Sequence, residues 1–136
     1  MVEENTALGR TIYLDTDMDG ALEQVAEALK VEGFGILTEI DVKKTLKAKI
    51  DVDFRPYRIL GACNPALAHR ALSTSSVVGL LLPCNVTVTE VDPNKVEVSI
   101  IDPMALVDFT GNSDLQSVAD EAKAKLDRVA DSLEEK

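Results

Sequence analysis

The sequence predicts a single α+β domain over residues 1–136. Hydrophobic residues make up 46% of the chain and aromatic residues only 4%, so the core must be built from aliphatic side chains. A chain of 136 residues can bury such a core without disulfides or metals. Hydrophobic periodicity gives the order strand, helix, strand, helix, strand, helix, hairpin, helix. Because the hairpin joins two strands without a crossover helix, this order favours an α+β fold over a parallel α/β sheet.

The first strand and helix are predicted between Arg10 and Gly33. Ile12 and Leu14 alternate with polar neighbours, which is the pattern of a half-buried strand. Thr16 then begins a capping box, a motif that satisfies free amides at a helix start. Four apolar residues follow at helical spacing: Leu22, Val25, Ala26 and Leu29. Gly33 suits the left-handed position that ends such a helix.

A second strand is predicted over residues 33–40, and Asp41 is placed to cap a short helix after it. Three apolar residues fall on one side of this helix: Val42, Leu46 and Ile50. Pro56 ends the helical region because it biases Arg55 away from helical dihedral angles. Residues 57–62 are then predicted to form a third strand.

The second half of the chain is predicted to contain a short helix, a hairpin and a long helix. The short helix covers residues 65–72, and the hairpin covers residues 86–101 with turn residues at 92–95. The long helix covers residues 114–135. Its apolar residues form two ladders: Leu115, Ala122 and Val129, and Ala119, Leu126 and Leu133. Such a narrow seam is suited to packing on a sheet or on another helix.

The charge balance argues against two classes of partner. With 14 Lys and Arg against 24 Asp and Glu, the formal net charge is −10. Such a charge repels polyanions, so we expect neither nucleic acid nor an anionic membrane as a partner. One local exception is a cluster of four lysines: Lys43, Lys44, Lys47 and Lys49. We interpret this cluster as a solvated helix face.

The sequence also predicts a cytoplasmic protein. The first ten residues contain no apolar core of the signal-peptide type. The longest apolar run, Val77 to Leu82, is far shorter than the roughly 20 residues of a membrane-spanning helix. In the cytoplasm, cysteine thiols stay reduced.

The candidate site consists of two Cys-Asn pairs, Cys63-Asn64 and Cys84-Asn85, which contain both cysteines of the chain. Asn64 is a good N-cap and Pro65 is favoured at the first helical position. This places Cys63 just before the positive end of a helix, where the pKa of a thiol falls below about 8.5. The alternative is that Cys63 is a small buried residue ending a strand, because free cysteine is among the most buried residue types.

Two further residues are candidates for the rim of this site. His69 lies five residues past the predicted cap, roughly 7.5 Å along the helix axis, so a direct Cys–His pair with Cys63 is not expected. Together with Arg58, His69 is a candidate contact for an anionic ligand. A weaker alternative is a metal site formed by Cys63, Cys84 and His69, which are the ligand types of some catalytic zinc sites. No C-x-x-C, G-x-G-x-x-G, P-loop or G-x-S-x-G motif is present, and no cofactor is predicted.

Several segments resemble the domain of unknown function 302 family. They read GFGILTEIDVKKTL, DFRPYRILGACNPALAHRAL and GLLLPCNVTV, with Asp102-Pro103 further on. The resemblance covers residues 11–133, nearly the whole chain. It implies a curved, mainly antiparallel sheet with helices packed against it, in a TATA-binding-protein-like architecture, and a homodimer. The family has no established activity, so the resemblance implies no catalytic residues.

Two functions therefore stay open. The first is small-ligand binding or thiol chemistry in a pocket near the two Cys-Asn pairs, with Cys63 as the candidate catalytic or contacting thiol. In this hypothesis Asn64, Cys84 and Asn85 line the pocket, and Arg58 and His69 lie at its rim. The second is a structural or interaction homodimer in which the cysteines only fill space.

Overall fold

The computed structural model describes residues 8–135. The strands are β1 (Gly9–Leu14), β2 (Gly35–Asp41), β3 (Tyr57–Cys63), β4 (Cys84–Asp92) and β5 (Lys95–Ile101). The α-helices are α1 (Met18–Val31), α2 (Val42–Ile50), α3 (Pro65–Thr74), α4 (Ala105–Asp108) and α5 (Gln116–Glu134). Two 3₁₀ segments cover Ser76–Leu81 and Ser113–Leu115.

The strands form one antiparallel sheet in the order β1-β5-β4-β3-β2. The β4–β5 hairpin includes the central strand, β4. Strand β2 forms one edge, with an irregularity in its pairing between Ile36 and Thr38. Helices pack against the sheet. The prediction of an α+β domain with a mainly antiparallel sheet is therefore confirmed.

One face of the sheet is buried under helices. Its central strands supply valines that are fully buried: Val86, Val88, Val96 and Val98. Helix α1 packs on β4, α5 packs on β1, and the two helices pack against each other. Both ladders of the long helix lie in this core, as their spacing predicts.

The opposite face, which we call the outer face, carries the alternate residues of each strand. One row crosses all five strands: Thr11, Ser99, Thr87, Ile59 and Ile40. The hydroxyls of Thr11 and Ser99 lie 2.8 Å apart in a hydrogen bond. This face is thus more polar than the valine-rich face under the helices.

Helix starts follow the predicted capping chemistry with one correction. Asp41 accepts a hydrogen bond from the backbone N–H of Lys44 at 3.0 Å, as expected for the cap of α2. At α1, however, the cap is Asp17 and not Thr16: the Asp17 carboxylate accepts from Gly20 N–H at 2.8 Å. Both residue types are good caps, and adjacent candidates differ by only one position.

Helix α2 lacks the buried apolar side that the sequence suggests. Val42 and Leu46 are half-buried, whereas Ile50 is 63% exposed. The helix packs mainly on β2 and β3, near one edge of the sheet. Among residues 8–135, no helix is both long and apolar enough to cross a membrane.

Candidate functional site

Asn64 caps α3, as the sequence predicts, and also contacts the end of α1. Its Oδ1 accepts a hydrogen bond from the backbone N–H of Leu67 at 3.2 Å, and Pro65 is the first residue of the helix. Its Nδ2 donates to the carbonyl oxygen of Glu32 at 3.3 Å. Gly33 follows with φ of 83°, and a Cβ there would lie only 3.0 Å from Nδ2. A ligand would have to compete with two internal hydrogen bonds for this amide.

The two cysteines lie side by side at strand ends but belong to opposite faces of the sheet. Cys84 is paired with Ala62, which is 1% exposed in the core. Side chains alternate along a strand, so Cys63 projects from the face opposite to Ala62 and Cys84. Both thiols are free and half-buried.

The surroundings of Cys84 disfavour the ionised form of its thiol. Burial raises the pKa of the Cys84 thiol to about 11, and the neighbouring Cys63 adds to the rise. Because the thiolate is the nucleophile and the metal ligand, this raised pKa disfavours both roles for Cys84 at neutral pH. Any chemistry at this end of the sheet therefore falls to Cys63.

Cys63 shares the outer face with three groups arranged around Gly61. Thr38 and Pro83 sit over this glycine, where a Cβ would lie 2.2 Å from Thr38 Oγ1 and 2.7 Å from Pro83 Cγ. Asn85 is directly paired with Gly61 and is exposed. The strands thus bring a thiol, a hydroxyl and a carboxamide to one face of the sheet. We call this group the Cys63 patch; it consists of Cys63, Thr38, Asn85, Pro83 and Gly61.

Of the two predicted rim residues, Arg58 lies away from this patch. Arg58 is five residues from Cys63 along β3, roughly 17 Å at the rise of a strand. Its guanidinium is held in ion pairs by Glu39 and, at 3.5 Å, by Asp41. His69 is exposed on α3.

Cys63, Cys84 and His69 do not form a metal-binding group. Over residues 8–135 the structure contains no cluster of three or more His, Cys, Asp or Glu side chains that could hold a metal ion.

Sequence reasoning missed Thr38 and Pro83 as members of the patch. Thr38 belongs to β2 and reaches Gly61 only through strand pairing, across the irregularity that follows Ile36. Its position in the sequence carries no signal for that neighbour. Pro83 directly precedes Cys84, and its proximity to Gly61 follows from the β3–β4 register.

Comparisons with known proteins agree with this description. Residues 10–133 match the family described as domain of unknown function DUF302. The crystal structure of an uncharacterized conserved protein DUF302 from Bacillus stearothermophilus is similar, with a TM-score of 0.84 and 30% sequence identity. The match covers 94% of this chain and 99% of that one. None of the curated proteins matches the chain. The family match covers most of the chain, and the fold agrees over nearly its full length, so the chain belongs to the DUF302 family.

Proposed function

We propose that this protein binds a small polar ligand at the Cys63 patch, with the Cys63 thiol as the contacting or reacting group. The observation that carries the proposal is the convergence of Cys63, Thr38 and Asn85 on one face around Gly61. A thiol, a hydroxyl and a carboxamide offer both donors and acceptors to one small molecule.

Asn85 supports the proposal because its amide is available. The side chain is exposed and makes no hydrogen bond to any residue between 8 and 135. Asn64, in contrast, is engaged at both of its polar atoms. The proposed site therefore uses one residue of each Cys-Asn pair, the thiol of Cys63 and the side-chain amide of Asn85.

Cys63 is also the better nucleophile of the two thiols. It ends β3 directly before α3 and projects from the face of the sheet opposite to Cys84. The raised pKa of Cys84 disfavours its thiolate at neutral pH, which leaves Cys63 as the thiol proposed to react. We further propose a cytoplasmic location, where both thiols would stay reduced.

Alkylation by iodoacetamide tests the proposal, with wild type, Cys63→Ser and Cys84→Ser followed by intact mass spectrometry. We expect wild type and Cys84→Ser to gain one adduct at equal rates, and Cys63→Ser to react at least roughly tenfold more slowly. A binding site also predicts that the rate saturates with reagent concentration and that Asn85→Ala removes the saturation. Equal reactivity of the two thiols, or an unreactive folded protein, would refute the role of Cys63. A rate that rises linearly in both wild type and Asn85→Ala would show an exposed thiol without a binding site.

A second candidate function, a homodimeric interaction module, is favoured by a group of exposed apolar side chains. Helices α3 and α4 both pack on the 3₁₀ segment Ser76–Leu81. This region exposes four large hydrophobic residues: Leu72, Val77, Leu80 and Phe109. Leu80 is 86% exposed and Phe109 is 76% exposed. Exposed apolar side chains on segments that pack together are a feature of many protein interfaces.

Sedimentation equilibrium tests this second candidate. If the wild type is a dimer through this surface, the double variant Leu80→Ser with Phe109→Ser should be a monomer of wild-type fold. Leu37→Ser is the matched control, because Leu37 is 68% exposed on β2, outside this surface. A monomeric wild type, or a dimer that survives the double substitution, would rule the interface out.

A further inference from the structure

The lysine cluster of α2 is exposed, as expected of a solvated helix face, and three of its members also line a groove. Three of the four lysines border a space of about 460 Å³ between the helix and the segment that follows it, together with three apolar residues and two carboxylates: Ala48, Val52, Phe54, Asp41 and Asp53. The three are Lys43, Lys44 and Lys47. A volume of this size is within the range of sites for small molecules.

The charge around this groove is opposite in sign to that of the rest of the protein. Between Glu39 and Arg58 there are six Lys and Arg against four Asp and Glu, a net charge of +2. The other residues of the chain carry −12. A small anion is therefore attracted here more than elsewhere on the molecule.

The carboxylates of this region are already paired with cations. Asp41, at the groove, is 3.5 Å from Arg58, which also holds Glu39. The Lys47 ammonium lies 2.9 Å from Asp51 and 3.3 Å from Asp53. Each of these two cations faces two carboxylates and so offsets about half of their charge. The net charge of +2 between Glu39 and Arg58 comes from the other cations of the region: Lys43, Lys44, Lys49 and Arg55.

Two lysines of the groove have no carboxylate partner in the part of the chain that the structure describes. Lys43 Nζ donates to the backbone carbonyl of Phe54 at 3.0 Å, which fixes its ammonium across the groove. Lys44 has no ion-pair partner within 4.0 Å among residues 8–135. Both ammonium groups keep the capacity to bind an anion.

The floor of the groove is apolar and includes an aromatic ring. Phe54 is half-buried and packs near Tyr57, with ring centroids 6.3 Å apart. The Arg55 guanidinium lies 4.8 Å from the centre of the Phe54 ring. Val52, 42% exposed, and Ala48 complete the apolar surface. Charged groups above such a floor suit a ligand that has an anionic head and a planar apolar body.

We infer that the α2 groove binds small aromatic anions, such as aryl carboxylates, with the head on Lys43 and Lys44 and the ring over Phe54 and Val52. This site is separate from the Cys63 patch and does not depend on the function proposed there.

Titration of the full chain with 2-naphthoate, followed by ¹⁵N–¹H NMR spectra, tests the inference. We expect chemical-shift changes centred on residues 41–54, and weaker or no binding of the neutral analogue 2-naphthylmethanol. Lys44→Ala should weaken binding about threefold, the effect of one exposed charge contact. Lys49→Ala is the matched control, because Lys49 is on the same helix with the same charge but does not border the groove.

Four results would overturn the inference. The first is an equal loss of affinity in Lys44→Ala and Lys49→Ala, and the second is equally tight binding of the neutral analogue. The third is a set of chemical-shift changes centred on Leu80 and Phe109. The fourth is an absence of chemical-shift changes at millimolar naphthoate. The first two would point to bulk charge or to simple apolar adsorption, and the third would place the ligand on the exposed apolar surface. Labelling at Cys63 is measured independently, so failure here leaves the proposal for the Cys63 patch intact.

Discussion

The side-chain nitrogen of Asn64 lies 3.3 Å from the backbone carbonyl oxygen of Glu32, the residue that follows α1. Asn64 therefore contacts the end of α1 and also caps the start of α3. Through this contact the end of the first helix is tied to the strand that carries Cys63. Asn64, which directly follows Cys63, is thus held by hydrogen bonds to Glu32 at the end of α1 and to Leu67 in α3.

Substitution of Asn64 should lower the stability of the fold, whereas substitution of Asn85 should not. Asn64→Ala removes an N-cap and leaves the Glu32 carbonyl without its donor, so we expect a loss of about 1–2 kcal/mol in the free energy of unfolding. Asn85→Ala, the control, should change it by less than about 0.5 kcal/mol, because the side chain is exposed. Urea unfolding followed by circular dichroism measures both values. Equal effects of the two substitutions would contradict the structural role of Asn64.

Gly61 should not tolerate a side chain. A Cβ at this position would lie 2.2 Å from Thr38 Oγ1 and 2.7 Å from the ring of Pro83. We therefore expect Gly61→Ala to destabilise the fold by about 1–3 kcal/mol, the range for overpacking. Adding Thr38→Ala should recover part of this loss because it removes the closer of the two clashes.

Gly35→Ala is the control for the effect of the glycine itself, since no atom lies within 4 Å of a Cβ there. It should leave the midpoint of urea unfolding near the wild-type value. A Gly61→Ala variant as stable as Gly35→Ala would mean that Thr38 and Pro83 do not cover Gly61 in solution.

The two cysteines should not form a disulfide within the folded chain. They are neighbours, but their side chains project from opposite faces of the sheet, and a disulfide needs Cβ atoms roughly 3.5–4.5 Å apart with converging directions. Treatment with glutathione disulfide should give a mixed disulfide at Cys63, seen as an increase in intact mass. The same treatment in urea, where the strands separate, should allow the intrachain bond. Rapid formation of that bond in the native protein would show that Cys63 and Cys84 share a face.

The contribution of Glu32 to stability should depend on pH. Its carboxylate accepts hydrogen bonds from Arg128 on α5, which lower the pKa of Glu32 below its ordinary value. The unfolded chain then binds the proton more tightly than the folded one, so the stabilisation is present above about pH 4.5 and is lost as pH falls through the lower folded pKa. Glu32→Gln should therefore be slightly destabilised at pH 7 and match wild type near about pH 3. A difference between the two proteins that stays constant with pH would show that this ion pair does not contribute.

The sequence was sufficient to predict those features that depend on local spacing. Both apolar ladders of the long helix are buried, and Asn64 caps α3. The turn between β4 and β5 lies where Asp92 and Pro93 indicate it. These features depend on residues one to four positions apart, or on a repeat along one helix. The residues that determine these features are therefore neighbours in the sequence, and their pattern is sufficient to predict them.

Features set by pairing between distant segments could not be predicted. Nothing near Cys63 or Cys84 tells which face of the sheet each occupies, because that follows from the register with Ala62. The second hydrogen bond of Asn64 joins residues 32 apart in the chain. Likewise, the spacing of lysines in α2 marks a polar side of the helix, but only the return of the chain through Phe54 turns that side into a groove.

The irregular pairing of β2 has a consequence for how the molecule behaves at high concentration. An edge strand with regular, unpaired backbone groups is a template on which another chain can add a strand, and repeated addition leads to aggregates. The extra residue between Ile36 and Thr38 interrupts that template and increases local twist. Glu39 and Asp41 place carboxylates along the remainder of the strand, where a second copy of β2 would meet like charge. The feature that brings Thr38 over Gly61 therefore also favours a sheet that stops at five strands.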